Sequence, residues 1–141
     1  MKYAFVNGKI LDGTKDMQPK EGLAILTDGE KIVDIMPNKA VPYGYTKVDL
    51  KGKYIMPGLI NMHVHLAGNG KPQKKQRDNE KLVKTIMSTG LTKAVAYKMV
   101  ASFAKLELLS GVTTIRTVGG LADFDTRLRD EITAGRKDGP R

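Results

Sequence analysis

The chain has 141 residues, enough for one ordinary domain, and its apolar share of 40% is what a globular protein needs. It has no cysteine, which excludes a disulfide framework, a thiolate nucleophile and a sulfur-ligated metal, so any metal must be held by nitrogen and oxygen. Lys and Arg outnumber Asp and Glu by 24 to 15 for a net charge of +9, yet the one local cluster, Lys71, Lys74, Lys75 and Arg77, lacks interleaved aromatic residues and reads as solvated surface rather than a nucleic-acid site.

At the amino terminus the apolar run Tyr3 to Val6 is far shorter than the core of a secretory signal or the roughly 18 apolar residues of a membrane span. The expectation is a soluble cytoplasmic protein with neither nucleic acid nor membrane as partner. Tyr3-Ala4-Phe5-Val6 and Lys9-Ile10-Leu11 flank Asn7-Gly8, a dipeptide that readily supplies the positive φ angles of a tight hairpin. Leu23 to Leu26 and Lys31 to Ile35, joined through Asp28-Gly29 and stopped by Pro37, predict a second hairpin. Val48 to Leu50 and Tyr54 to Met56 bracket a third turn at Lys51-Gly52-Lys53. Residues 1–57 therefore read as a small, mostly antiparallel β-layer, which needs a further layer over its apolar face.

The pattern changes at Pro57-Gly58, where the domain boundary is placed, with residues 58–141 as the second domain. Leu59 to His65 is apolar on both faces, as in a parallel strand buried on both sides. After a loop around Gly68 to Pro72, Leu82, Val83, Ile86 and Met87 mark a helix over about 78–89 closed by Gly90. Thr92 is placed to cap a longer helix reaching about Ser110, with Val95, Met99, Phe103, Leu106 and Leu109 as its core-facing stripe. Val112 to Val118 is rich in β-branched residues and forms the next strand, ending at Gly119-Gly120. Phe124, Leu128 and Ile132 then mark a helix that closes at Gly135. Strand, helices, strand and helix in this order predict parallel strands joined by right-handed crossovers.

The chemistry lies in the first of these strands, which carries His63 and His65, the only histidines in the chain. Alternation along a strand sends both side chains to the same face, with α-carbons about 6.6 Å apart, so two imidazoles can converge on one ion. By itself the spacing leaves a metal role and a structural or surface role both open. Asn61 shares their face and can hydrogen-bond but cannot supply negative charge. Arg116 is open to a substrate carboxylate or an ion pair, and Gly119-Gly120 to a close backbone approach or a plain turn.

The segment Pro57-Gly58-Leu59-Ile60-Asn61-Met62-His63-Val64-His65-Leu66 resembles the first barrel strand of the metal-dependent amidohydrolase superfamily. The hairpins before it look like that family's small β-sandwich domain, and Ser110 to Gly120 looks like the second barrel strand of its imidazolonepropionase and prolidase-like (Xaa-Pro dipeptidase-like) branch. The resemblance implies an α/β fold: an amino-terminal β-sandwich-like layer followed by the first two strand-helix units of an incomplete (β/α)8 TIM barrel. It further implies that His63 and His65 bind the more buried metal, usually zinc, and that a metal-activated water attacks an amide bond of a dipeptide or small cyclic amide. Asn61 and Thr117 stand where many relatives have Asp.

The remaining family ligands would be a carboxylated lysine or glutamate on the fourth strand, histidines on the fifth and sixth, and a base aspartate on the eighth. A whole barrel takes roughly 250 residues. The expectation is thus a fragment that is inactive alone, with no catalytic residue of its own, and that self-associates or is completed by another chain. The alternative is a non-catalytic binding or assembly module that pairs through an open sheet edge.

Overall fold

The structure, a computed structural model, describes residues 1–68 and 78–141, so the basic stretch from Lys71 to Arg77 lies outside the described residues. It is a mixed α/β chain that divides into two compact units, Met1–Pro57 and Gly58–Arg141.

The first unit contains β1 (Lys2–Val6), β2 (Lys9–Ile10), β3 (Leu23–Asp28), β4 (Lys31–Pro37), β5 (Thr46–Asp49) and β6 (Tyr54–Ile55). β3 and β4 form the antiparallel hairpin expected at Asp28-Gly29, with Gly29 at φ 59°. The other two turns are not hairpins. β1 lies between β3 and β5 in a sheet ordered β4-β3-β1-β5, antiparallel to β3 and parallel to β5, while β2 pairs in parallel with β6 in a separate ribbon. The reason lies in two matched kinks.

Asn7 at φ 57° and Lys51-Gly52 at φ 52° and 76° turn two parallel stretches of chain together from one sheet into the other. They are tied by the Gly52 N–H donating to the Asn7 carbonyl at 2.7 Å and Asn7 Nδ2 donating to Asp49 Oδ1 at 3.1 Å. A β-carbon on Gly8 would press on Leu50 and lie 3.2 Å from the Lys53 carbonyl oxygen, so this crossing requires glycine. Ala4, Val6, Ala24 and Leu26 form the core here, whereas Ile32, Val33 and Ile35 of the edge strand β4 are exposed.

In the second unit β7 (Leu59–Val64) and β8 (Val112–Thr117) pair in parallel, as the alternation of elements requires, connected through α1 (Asn79–Met87) and α2 (Gly90–Leu109) and followed by α3 (Phe124–Thr133). Asp78 caps α1, accepting from the Lys81 N–H at 3.0 Å. The cap of α2 is Thr89 rather than Thr92. Thr89 and Thr92 form a reciprocal capping box, and Gly90 opens α2 instead of closing α1.

The buried face of α2 also differs from the expected one. Ala96, Tyr97, Val100 and Ala104 pack inward with Val64, Leu66, Phe124 and Leu128, and Phe103 only partly joins them. Val95, Met99, Leu106 and Leu109 look outward, from 41% exposed at Met99 to 72% at Leu109. Both faces of α2 are apolar, so periodicity does not choose between them, and the small Ala96 and Ala104 let the helix backbone come closest to its neighbours. On α1 only Ile86 packs against this core, while Leu82 and Val83 are exposed.

β7 departs from expectation as well: Leu59, Ile60 and Met62 are exposed, and Val64 alone among its residues is buried. A strand is covered on both faces only where two layers meet it, and within this unit helices cover one. Tyr97 and Phe124 meet edge to face with centroids 5.5 Å apart, and burial, assisted by the Glu131 carboxylate, pushes the Tyr97 hydroxyl up to about 12. Burying a side chain such as Leu128 contributes roughly 1.5–3 kcal/mol. Arg141 lies along the free edge of β8, its N–H donating to the Thr113 carbonyl and its carbonyl accepting from the Ile115 N–H, both at 2.8 Å. No helix among the described residues is long and apolar enough to cross a membrane.

Candidate metal centre

Strand alternation couples the site to the core. Val64 and Leu66 are buried in the hydrophobic cluster, and between them His63 and His65 emerge on the opposite, exposed face. The pairing of β7 with β8 shifts register between Asn61 and Val64, so Met62 and the first histidine both lie within the irregularity. Asn61 Oδ1 accepts from the His63 backbone N–H at 3.2 Å and so braces this turn of the strand.

The two imidazoles converge. His63 Nε2 and His65 Nε2 are 3.2 Å apart, with ring centroids 5.1 Å apart and planes inclined at 69°. Two zinc–nitrogen bonds of about 2.0–2.1 Å opened to a tetrahedral angle place their nitrogens about 3.3–3.4 Å apart. The pair therefore fits as two ligands of one divalent ion. Among the described residues no group of three or more His, Asp or Glu side chains gathers here, so the fit covers two coordination positions.

The other residues singled out in the sequence separate. Gly119 is beside the site, with its carbonyl oxygen 3.4 Å from His65 Nδ1. Gly120 instead lies over Asp125, whose Cγ would be 2.6 Å from a β-carbon at that position. Thr117 faces away from the histidines and lines a cavity of about 170 Å³ with Leu66, Ile115, Asp125 and Leu128. Arg116 is exposed and forms no ion pair among the described residues. Asp125 was not signalled by the sequence, where it reads as an ordinary acid in the first turn of a helix. In the structure its Oδ1 is buried and has no hydrogen-bond partner among the described residues.

No family model matches the chain. The dihydroorotase of Wolbachia sp. subsp. Drosophila simulans (strain wRi) is 37% identical over 75 residues, covering 52% of this chain and 17% of that protein. The 5-methylthioadenosine/S-adenosylhomocysteine deaminase of Bacillus thuringiensis (strain Al Hakam) is 32% identical over 68 residues, covering 47% of this chain and 16% of its own length. Among solved structures, a Xaa-Pro dipeptidase with bound methionine in its active site superposes with a TM-score of 0.72 at 27% identity, covering 100% of this chain and 32% of that one. Phenylurea hydrolase B shares the fold with a TM-score of 0.74 at 23% identity over 100% of this chain and 29% of its own.

These likenesses support the amidohydrolase superfamily for this chain. Within it the structural likeness runs to the prolidase-like branch. The chain spans less than a fifth of the length of these curated relatives and about a third of the solved chains.

Proposed function

We propose that the chain is the amino-terminal part of a metal-dependent amidohydrolase, in which residues 1–57 contribute to a small β-sandwich-like domain and residues 58–141 form the first two strand-helix units of a (β/α)8 barrel. The observation that carries this reading is the 3.2 Å convergence of His63 Nε2 and His65 Nε2. His63 and His65 would hold one divalent ion, zinc in this reading, and the buried Val64 and Leu66 keep their strand in place behind them. When bound, the ion supplies Lewis acidity toward water and toward the carbonyl of an amide bond, in a dipeptide or a small cyclic amide. Asn61 holds the His63 backbone and contributes no charge.

A catalytic zinc takes three protein ligands and keeps a fourth position open. Two imidazoles fall short of that set, so the 141-residue chain alone is inactive in this proposal, and no catalytic residue is assigned within it. Zinc titration of the purified chain against the His63→Ala, His65→Ala double variant tests the assignment. Saturable uptake by the parent chain and its loss in the variant are expected, and equal uptake by both overturns it.

A second reading, a module that assembles through its sheet edge, is favoured by the bonds of Arg141. Arg141 meets that edge with the bonding pattern of a parallel neighbour, and by alternation the next groups on the edge are the Ile115 carbonyl and the Thr117 N–H. Self-association or a complementing chain would use them. Protection of the Thr117 amide that rises with protein concentration supports self-pairing. A concentration-independent monomer whose Thr117 amide exchanges freely counts against it.

A further inference from the structure

We infer that Gly119 is a positioning residue for His65: its carbonyl fixes the His65 ring proton on Nδ1 and leaves Nε2 as the nitrogen with a free lone pair. The inference rests on the reading of the two histidines as metal ligands and extends it to the end of β8. A carbonyl oxygen only accepts, so the 3.4 Å contact between His65 Nδ1 and the Gly119 oxygen makes Nδ1 the donor. A neutral imidazole has one N–H, and Nε2 is then unprotonated and directed at His63 Nε2, 3.2 Å away. In the metal-free chain that short contact is a hydrogen bond donated by the His63 Nε2–H to His65 Nε2, so the two rings hold opposite tautomers. Metal loading requires His63 to carry its proton on Nδ1 instead, while His65 needs no change.

The conformation of Gly119 is what presents this carbonyl. Its φ of 115° lies where residues with a β-carbon are strained. Among the described residues space does not demand glycine here, because a β-carbon would meet the His65 Cε1 and Nδ1 atoms at an ordinary 3.9 Å. Backbone angle does. The Val118 N–H just before it is anchored to the Val64 carbonyl at 3.1 Å, so a side chain at 119 that drives φ negative swings the Gly119 carbonyl rather than the strand. Carbonyl partners of this kind orient ligating histidines, and their loss typically weakens metal binding 10–100-fold.

The test is a long-range ¹H–¹⁵N correlation spectrum of the metal-free ¹⁵N-labelled chain, with His63→Gln leaving a single imidazole for assignment. His65 is expected to show a protonated Nδ1 and an unprotonated Nε2, and the reverse pattern overturns the inference. Gly119→Val is expected to abolish that preference and weaken zinc binding 10–100-fold. Gly44→Val places the same β-branched side chain at a glycine with φ 94° in the other unit, where a β-carbon meets nothing within 4 Å among the described residues, and serves as the control. Equal effects from both substitutions would reduce Gly119 to a structural role. The wild-type spectrum decides the tautomer even if a variant fails to fold. The expected tautomer without zinc binding retains Gly119 as the partner of His65 and removes the ligand reading; zinc binding with a protonated His65 Nε2 in the metal-free chain does the opposite.

Discussion

In Met1–Pro57 the core is built from small and branched side chains, Ala4, Val6, Ala24 and Leu26, and apolar residues of the edge strand β4 stay exposed. In Gly58–Arg141 two aromatic rings meet edge to face, and Val64, Leu66, Val100 and Leu128 close around them. The paired histidines are on the strand whose reverse face enters this second, bulkier core. Holding two imidazoles at ligand spacing requires a strand that does not shift, and side chains locked by packing supply that rigidity.

The largest effect expected from this contrast is at Phe124. Phe124→Ala should cost about 3–5 kcal/mol, and Leu26→Ala in the other unit about 2–5 kcal/mol. Amide exchange should show each loss confined to its own unit, and uniform loss across the chain would mean that the two cores are one cooperative structure. Next comes Gly58→Ala. A β-carbon there would overlap the Thr113 side chain where β7 meets β8, so a cost of about 1–3 kcal/mol is expected in chemical denaturation. An unchanged midpoint would contradict the close approach of these strands.

A pH series sharpens the comparison further. Because burial raises the Tyr97 hydroxyl from 10.0 to about 12, the folded second unit holds that proton more tightly than the unfolded chain does. Its contribution is fully present below pH 10 and is lost as the pH rises from 10 toward 12. Tyr97→Phe should flatten the fall of melting temperature over that interval, and parallel curves for the two proteins would refute the assignment. The smallest effect belongs to the outer face of α2: Leu109→Ser should change stability by no more than about 0.5 kcal/mol, since its side chain is 72% exposed. A loss near that of a core residue would restore the stripe expected from periodicity.

The sequence made the histidine pair legible because strand alternation is local: residues 63 and 65 share a face whatever the rest of the chain does. The strand over Val112–Thr117 and the helix marked by Phe124, Leu128 and Ile132 were equally readable from branched residues and spacing. The kink at Asn7 was not. A positive φ at Asn7 serves a hairpin or a change of sheet, and the choice is made by Asp49, 42 residues away. Nor was the buried face of α2, since apolar residues surround that helix and the small alanines decide by proximity. Gly119 was visible as a glycine near a strand end, but its bond to His65 depends on a φ angle that no local pattern specifies.

The central claim is that His63 and His65 hold one ion between their Nε2 atoms, and X-ray absorption at the zinc edge tests it most directly. With only two histidines in the chain, the zinc-loaded protein should show two imidazole ligands at about 2.0–2.1 Å, and the His63→Ala, His65→Ala variant none. A zinc spectrum without imidazole scattering in the parent chain would contradict the account.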